Sequence, residues 1–179
     1  MQTFDLYCII RSTSPHAPDP DCLCPQERAP KDEKTSFWED LEGLVRSVPL
    51  KEKLFVGGDL NGHVGSDCAP GEERVHRRLG DGTRNHPDET IMDFAVSADL
   101  AVTNTFFTKR QDQLATYVSG GNSTQIDFIL CRREDLKYCL DCKTIPGAGF
   151  GFIHQHKLLV AVFRLKGKPP GVTAKESTE

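Results

Sequence analysis

Apolar side chains at Phe37, Trp38, Leu41, Leu44, Val45 and Val48 recur at helical spacing until Pro49 interrupts them, which predicts a helix over about 33–48. The apolar run "KLFVGG" follows directly and predicts a strand. Residues 66–86 are polar and Gly-containing without periodicity, the mark of a long functional loop or of local disorder. Helical spacing returns at Ile91, Phe94, Ala95 and Ala98, predicting a second helix over about 88–99 that leads into a strand "LAVTNTFF".

The second half reads as mostly β. "LATYV" (114–118) and "QIDFILC" (125–131) predict a hairpin around "SGGNS" (119–123), and "YCLDCKTI" (138–145) and "KLLVAVFRL" (157–165) predict two further strands. Near the start, "FDLYCII" (4–10) has strand composition. Residues 11–33 carry five of the eleven prolines and predict loop. The tail from 166 lacks apolar content and predicts disorder. No internal repeat is visible, and the mixture predicts an α+β sandwich with at least one mainly antiparallel sheet.

Composition narrows this only slightly. A chain of 179 residues with 37% hydrophobic and 27% charged residues suits one domain. The formal charge of -4 gives no global basic field for nucleic acid. Local basic groups at Lys109-Arg110, Arg132-Arg133 and among Arg74, Arg77, Arg78 and Arg84 read as solvated faces or as phosphate contacts until a fold gives them direction. Seven cysteines, no secretory leader pattern and no apolar run of about 18 residues predict reduced thiols, an intracellular setting and no membrane span.

Chemistry concentrates at strand ends. "KLFVGGDLNGHVG" (53–65) sets Asp59, Asn61 and His63 within five positions, which reads either as a turn, since Asn61-Gly62 is a strong turn dipeptide, or as a site. Asp127 lies between Ile126 and Phe128 in an apolar strand and needs a partner if buried. His156, just before the last strand, is a natural one: a carboxylate accepting from one ring nitrogen fixes the tautomer and raises the basicity of the other. Asp59 could then orient a water and Asn61 donate to a phosphoryl oxygen, which together would make a hydrolytic site. A competing reading is a zinc site of Cys139 and Cys142 with Cys22, Cys24, His154 and His156. Against it, "YCLDCK" reads as a strand, in which an i, i+3 pair points to opposite faces.

"GGDLNGHVG", "TQIDFIL" and "QHKLLV", together with "FWEDLEGLV", "DFAVSADLAVTNTFF" and "TYVSGGNSTQID", resemble the endonuclease domain of RTE-clade LINE retrotransposons and the derived craniofacial development protein 2-like sequences, a branch of the endonuclease/exonuclease/phosphatase superfamily. The resemblance covers roughly residues 23–166, between a divergent segment 1–22 and a tail 167–179. It implies a four-layered α/β sandwich with two packed mixed or antiparallel sheets, a Mg (or Mn) cofactor, and phosphodiester hydrolysis that nicks DNA, in an intracellular and nuclear setting. It also implies roles: His156 contacts the scissile phosphate or serves as acid-base partner, Asp127 orients it, Asp59 positions or deprotonates the attacking water, and Asn61 with Thr124 binds substrate.

The departures carry their own expectation. Nothing in residues 1–22 resembles the family's early Asn and metal-binding Glu, and Leu23-Cys24-Pro25-Gln26 stands where the family has Tyr-Ala-Pro-Gln. Gln155 replaces the superfamily's Asp before the final His, as is common in this clade. A hard cation needs carboxylate ligands, so the expectation is an N-terminally truncated domain with little or no activity, or a noncatalytic DNA- or protein-binding remnant. Nothing in the sequence assigns an oligomeric state.

Overall fold

The computed structural model describes residues 6–10 (backbone alone), 30–84, 89–149 and 155–164. The segment matched to the family's Tyr-Ala-Pro-Gln, the zinc candidates Cys22, Cys24 and His154, and the tail from 166 lie outside the described residues.

The centre is a four-stranded mixed sheet in the order β1-β2-β6-β3, formed by β1 (Leu6–Ile10), β2 (Lys53–Asp59), β3 (Leu100–Val102) and β6 (Asp127–Arg132). β1 runs parallel to β2, and β6 lies antiparallel to both β2 and β3. Alternation along β2 decides what packs where. Leu54 and Val56 join Phe128, Leu130, Leu100 and Val102 on one face, covered by α1 (Lys31–Ser47) through Leu41 and Val45 and by α2 (Glu89–Ser97) through Ile91, Met92, Phe94 and Ala95. Phe55, Cys131 and Ala101 occupy the other face.

That second face receives β8 (Lys157–Phe163), where Phe163 meets Phe55 edge-on with ring centroids 4.4 Å apart. β8 pairs antiparallel with β7 (Cys139–Gly149) in a second sheet. Helices, central sheet and β7–β8 are thus three successive layers of the sandwich among the described residues.

Helix α1 ends where expected, and Arg132 explains the tight join to β2. Its buried guanidinium donates to the carbonyls of Val48, Pro49 and Glu52, supplying hydrogen bonds that the helix end cannot make internally. One half of a basic pair is therefore structural. Lys109 pairs with Asp141 and Arg84 with Glu72 in largely covered contacts, while Arg110 pairs with Asp112 and Arg74 with Asp99 on the exposed surface, so most of the basic groups have protein partners.

Three sequence expectations need correction. "LAVTNTFF" is a strand only as far as Val102; Thr103–Phe106 turns into a 3-10 helix, in which Thr105 Oγ1 donates back to the Val102 carbonyl. The predicted hairpin is shorter and differently paired: β4 (Tyr117–Ser119) meets β5 (Asn122–Thr124), and β6 belongs to the central sheet. Gly120 and Gly121 both take positive φ (57° and 84°), the requirement of a two-residue hairpin turn, so the turn closes two residues earlier than a longer loop would. Finally, Cys139 pairs with Phe163 and Cys142 with Ala161, with a register irregularity between Cys139 and Asp141. Phe163 and Ala161 share a face of β8, so the bulge turns both thiols inward instead of to opposite faces.

Candidate active site

Asp59 is the last residue of β2 and Asp127 the first of β6, and they are partners in the antiparallel register. Beyond Asp59 the chain folds onto itself: Asp59 Oδ1 accepts the Asn61 N–H at 2.8 Å, and Asn61 adopts φ 50°. This is an Asx-type turn, in which Asn tolerates the left-handed conformation and Gly62 follows without a side chain to hinder it. The sequence "GGDLNG" is therefore a turn, and that turn brings Asn61 beside the carboxylate.

His156 reaches the same place from the second sheet. Its Nδ1 lies 3.1 Å from Asp127 Oδ2, within hydrogen-bond distance, so Nδ1–H donates to the carboxylate and Nε2 is left facing outward. Nε2 stands 3.9 Å from Asp59 Oδ2, too far for a hydrogen bond and within ion-pair range if the ring is charged. The two carboxylates are largely covered (16% and 17% of side-chain surface exposed) while His156 is 42% exposed, so the acids form the floor and the imidazole a rim open to a ligand. The Tyr117 ring packs beside His156 with centroids 4.8 Å apart.

The structure thus unites Asp59, Asn61, Asp127 and His156. Gln155 is adjacent through the backbone, its carbonyl accepting from Val118 N–H at 2.8 Å, and Thr124 sits at the end of β5 with its carbonyl accepting from Thr116 N–H. Sequence reasoning missed two buried polar residues behind the site. Asn104 Nδ2 donates to the Asp127 carbonyl while its Oδ1 accepts from Ile129 N–H, and Thr116 Oγ1 accepts from both Ile126 and Asp127 N–H. The available signal was a buried-type polar residue within the apolar stretches "LAVTNTFF" and "LATYV".

The long loop lies alongside, held by internal staples. Arg84 forms a two-pronged bond to Glu72 at 2.7 and 2.9 Å and donates to the carbonyls of Val64 and Asp67. Burial pushes the Glu72 carboxyl up, but bonds from Arg84 and Ala69 N–H together with the Arg84 charge outweigh it and hold the group below the ordinary carboxylate range. Buried His76 lies within 3.0 Å of the Gly65 carbonyl through Nε2 and accepts Arg78 N–H at Nδ1; burial lowers its pKa and keeps the ring neutral. Loop and site meet at Gln125, whose Oε1 accepts Asp81 N–H two residues before Asp127.

No protein-family model matches the chain. It is 38% identical over 146 residues to craniofacial development protein 2 of Bos taurus and 38% identical over 148 residues to that of Tragulus javanicus, matches covering 80% and 82% of the chain. The chain spans about a quarter of the length of these curated relatives (24% and 25%). Among solved structures it resembles the endonuclease domain of TRAS1, a telomere-specific non-LTR retrotransposon, with a TM-score of 0.52 and 15% identity over 80% of this chain and 56% of that one. It also resembles an AP endonuclease from Archaeoglobus fulgidus, with a TM-score of 0.54 and 18% identity over 75% of this chain and 55% of that one. The chain has the endonuclease/exonuclease/phosphatase fold.

Within this superfamily fold the carboxylates lie at one end of the central sheet and the histidine arrives from the second. The donors are bonded to one another: one oxygen of Asp127 to His156, one of Asp59 to Asn61 N–H. Among the described residues no group of three His, Cys, Asp or Glu side chains is placed to hold a metal ion; Asp59 and Asp127 are the carboxylates that could serve Mg or Mn, which takes one or two from a protein and fills its shell with water and phosphate. Burial raises Cys139 to about 11 and Cys142 to about 12, and raises Cys131 further, so without a metal all three are thiols. No helix among the described residues is long and apolar enough to cross a membrane.

Proposed function

We propose that this domain acts on phosphodiester bonds of DNA as a nicking endonuclease, with turnover that is slow or absent in this chain. The carrying observation is the His156–Asp127 pair: the carboxylate at 3.1 Å fixes the ring with Nε2 outward, beside Asp59. In this reading a phosphate sits over the exposed face of His156, Asn61 and Thr124 bind its oxygens, and Asp59 orients the attacking water and accepts its proton. Attack at phosphorus breaks the bond to one ester oxygen, and His156 contacts the phosphate where charge accumulates. Magnesium or manganese is the expected cofactor. No step is routed through the ion, which when bound would supply Lewis-acid stabilisation that the side chains alone do not.

The carboxylates' existing bonds to His156 and to Asn61 N–H favour a second reading, a DNA-binding domain that does not cut. Incubating purified protein with supercoiled plasmid, with Mg or Mn against chelator, separates the two. Cutting that needs metal, Asp59 and His156 supports the endonuclease. Salt-sensitive DNA binding that survives Asp59→Ala and His156→Ala, without nicks, supports the binder.

A further inference from the structure

We propose that Thr116 is a positioning residue on which both halves of the His156–Asp127 pair are hung. The pair joins two separate sheets: Asp127 opens β6 in the central sheet, and His156 precedes β8 in the second. Contacts within either sheet leave their relative placement undetermined, yet the Nδ1 to Oδ2 distance must hold to a few tenths of an ångström for a good hydrogen bond.

Thr116 addresses both sides at once. Its fully buried hydroxyl oxygen accepts N–H bonds from Ile126 at 3.0 Å and from Asp127 at 2.9 Å, setting the backbone that aims the carboxylate. Its own carbonyl accepts Lys157 N–H at 2.7 Å, one residue beyond His156. The neighbouring Tyr117 forms a bridge with His156 and packs its ring beside the imidazole, while Val118 N–H donates to the Gln155 carbonyl. The Thr116 N–H donates to the Thr124 carbonyl, which ties in the third candidate substrate contact. Asn104 secures the other side of Asp127 through its carbonyl, but these side-chain bonds both go to β6. Thr116 is thus a three-way junction, and its hydroxyl is the part that a β-branched apolar residue cannot replace. A catalytic role for the positioned pair rests on the endonuclease reading; the positioning itself does not.

The test compares the full chain with Thr116→Val, which keeps the shape and removes the acceptor, and Thr116→Ser, which keeps the acceptor. Nitrogen-15 spectra of the His156 ring report which nitrogen carries the proton, and plasmid nicking reports turnover. The expectation is an Nδ1–H tautomer in wild type and Thr116→Ser, and a shift toward a mixed tautomer in Thr116→Val. Turnover in Thr116→Val should fall about 10-fold or more with KM little changed, as expected when a reacting group is misplaced. A wild-type ring protonated at Nε2 overturns the proposal, and so does folded Thr116→Val with the wild-type tautomer. Should Thr116→Val fail to fold, Thr116→Ser decides by amide exchange: protected Ile126 and Asp127 amides with the wild-type tautomer support the proposal, and loss of either overturns it. The expected spectra without nicking by any protein would defeat the endonuclease reading and leave the positioning role standing.

Discussion

Asp59 and Asp127 face each other as register partners across the β2–β6 ladder, so two carboxylates share one side of the sheet. Like charges in that relation repel, and His156 stands between them with one nitrogen toward each. The arrangement sacrifices local sheet stability for a concentrated acidic floor, which leads to the first prediction. Asp59→Asn removes the repulsion while keeping an oxygen for Asn61 N–H, so it should raise stability at pH 8 by about 0.2–1 kcal/mol in urea denaturation. Any nicking should fall at the same time by about 10²-fold or more. A destabilised Asp59→Asn protein would show that the floor is held together by something other than the paired geometry.

His76 should make stability fall on mild acidification. Its folded pKa is lowered from the ordinary 6.5 by burial, so the unfolded chain binds the proton first. Stability is therefore fully present above about pH 6.5 and declines as pH falls from there toward the folded pKa. Glu72 opposes this shift, while Arg84 and Arg78 reinforce it. The drop in unfolding free energy between pH 7 and 5.5 should shrink in His76→Gln, which keeps a donor for the Gly65 carbonyl; equal drops in both proteins would remove His76 as the cause.

Glu72 acts in a lower window. Its folded pKa lies below the ordinary 4.5, so its contribution is present above that value and is lost as pH falls toward the folded pKa. Replacing it with Gln leaves the largely covered Arg84 guanidinium without its anionic partner and should cost about 1–3 kcal/mol at pH 7. The gap from wild type should narrow near pH 3, and a constant gap across that range would argue for lost shape complementarity.

Gly80→Ala should loosen the loop that borders the site. An added Cβ would overlap the Gly65 carbonyl, which is backbone and has no rotamer to yield, while Gly65 itself sits at φ 62° against Arg84. A cost of about 1–3 kcal/mol is expected, with faster amide exchange at Ser66, whose N–H donates to the Gly82 carbonyl. Unchanged stability and exchange would mean that the loop relaxes freely.

Thiol accessibility should divide along the same lines as burial. Cys131, Cys139 and Cys142 are buried with raised pKa values, so iodoacetamide at pH 8 should leave them unmodified until the protein unfolds. Modification of native Cys142, whose sulfur accepts a bond from Thr103 Oγ1, would require the second sheet to open.

Much of this fold is legible in local pattern, because the helices bury one stripe and the strands alternate. Phe37 to Val48 gave α1 within two residues of its observed start, and Leu54, Phe55 and Val56 divide between the two faces of the sheet as alternation requires. What escaped depends on residues that break the period. Gly120-Gly121 closes a hairpin too early for "QIDFILC" to join it, and the irregularity after Cys139 brings to one face two thiols that simple alternation would separate. The site was legible through the motifs that carry Asp59, Asn61, Asp127 and His156. Thr116 and Asn104 were not, because a buried hydroxyl or amide bonded to distant backbone leaves no periodic trace.

The second sheet's attachment makes the site depend on two separate packings. The Asp59–Asp127 pair forms as soon as β2 zips to β6, whereas His156 joins only when β8 docks through Phe163 on Phe55 and Lys157 on Thr116. A molecule with only its central sheet in place carries the acids without the imidazole that bonds Asp127. The histidine thus acts as a latch on the finished architecture: the chemistry is available only to chains in which both layers have met.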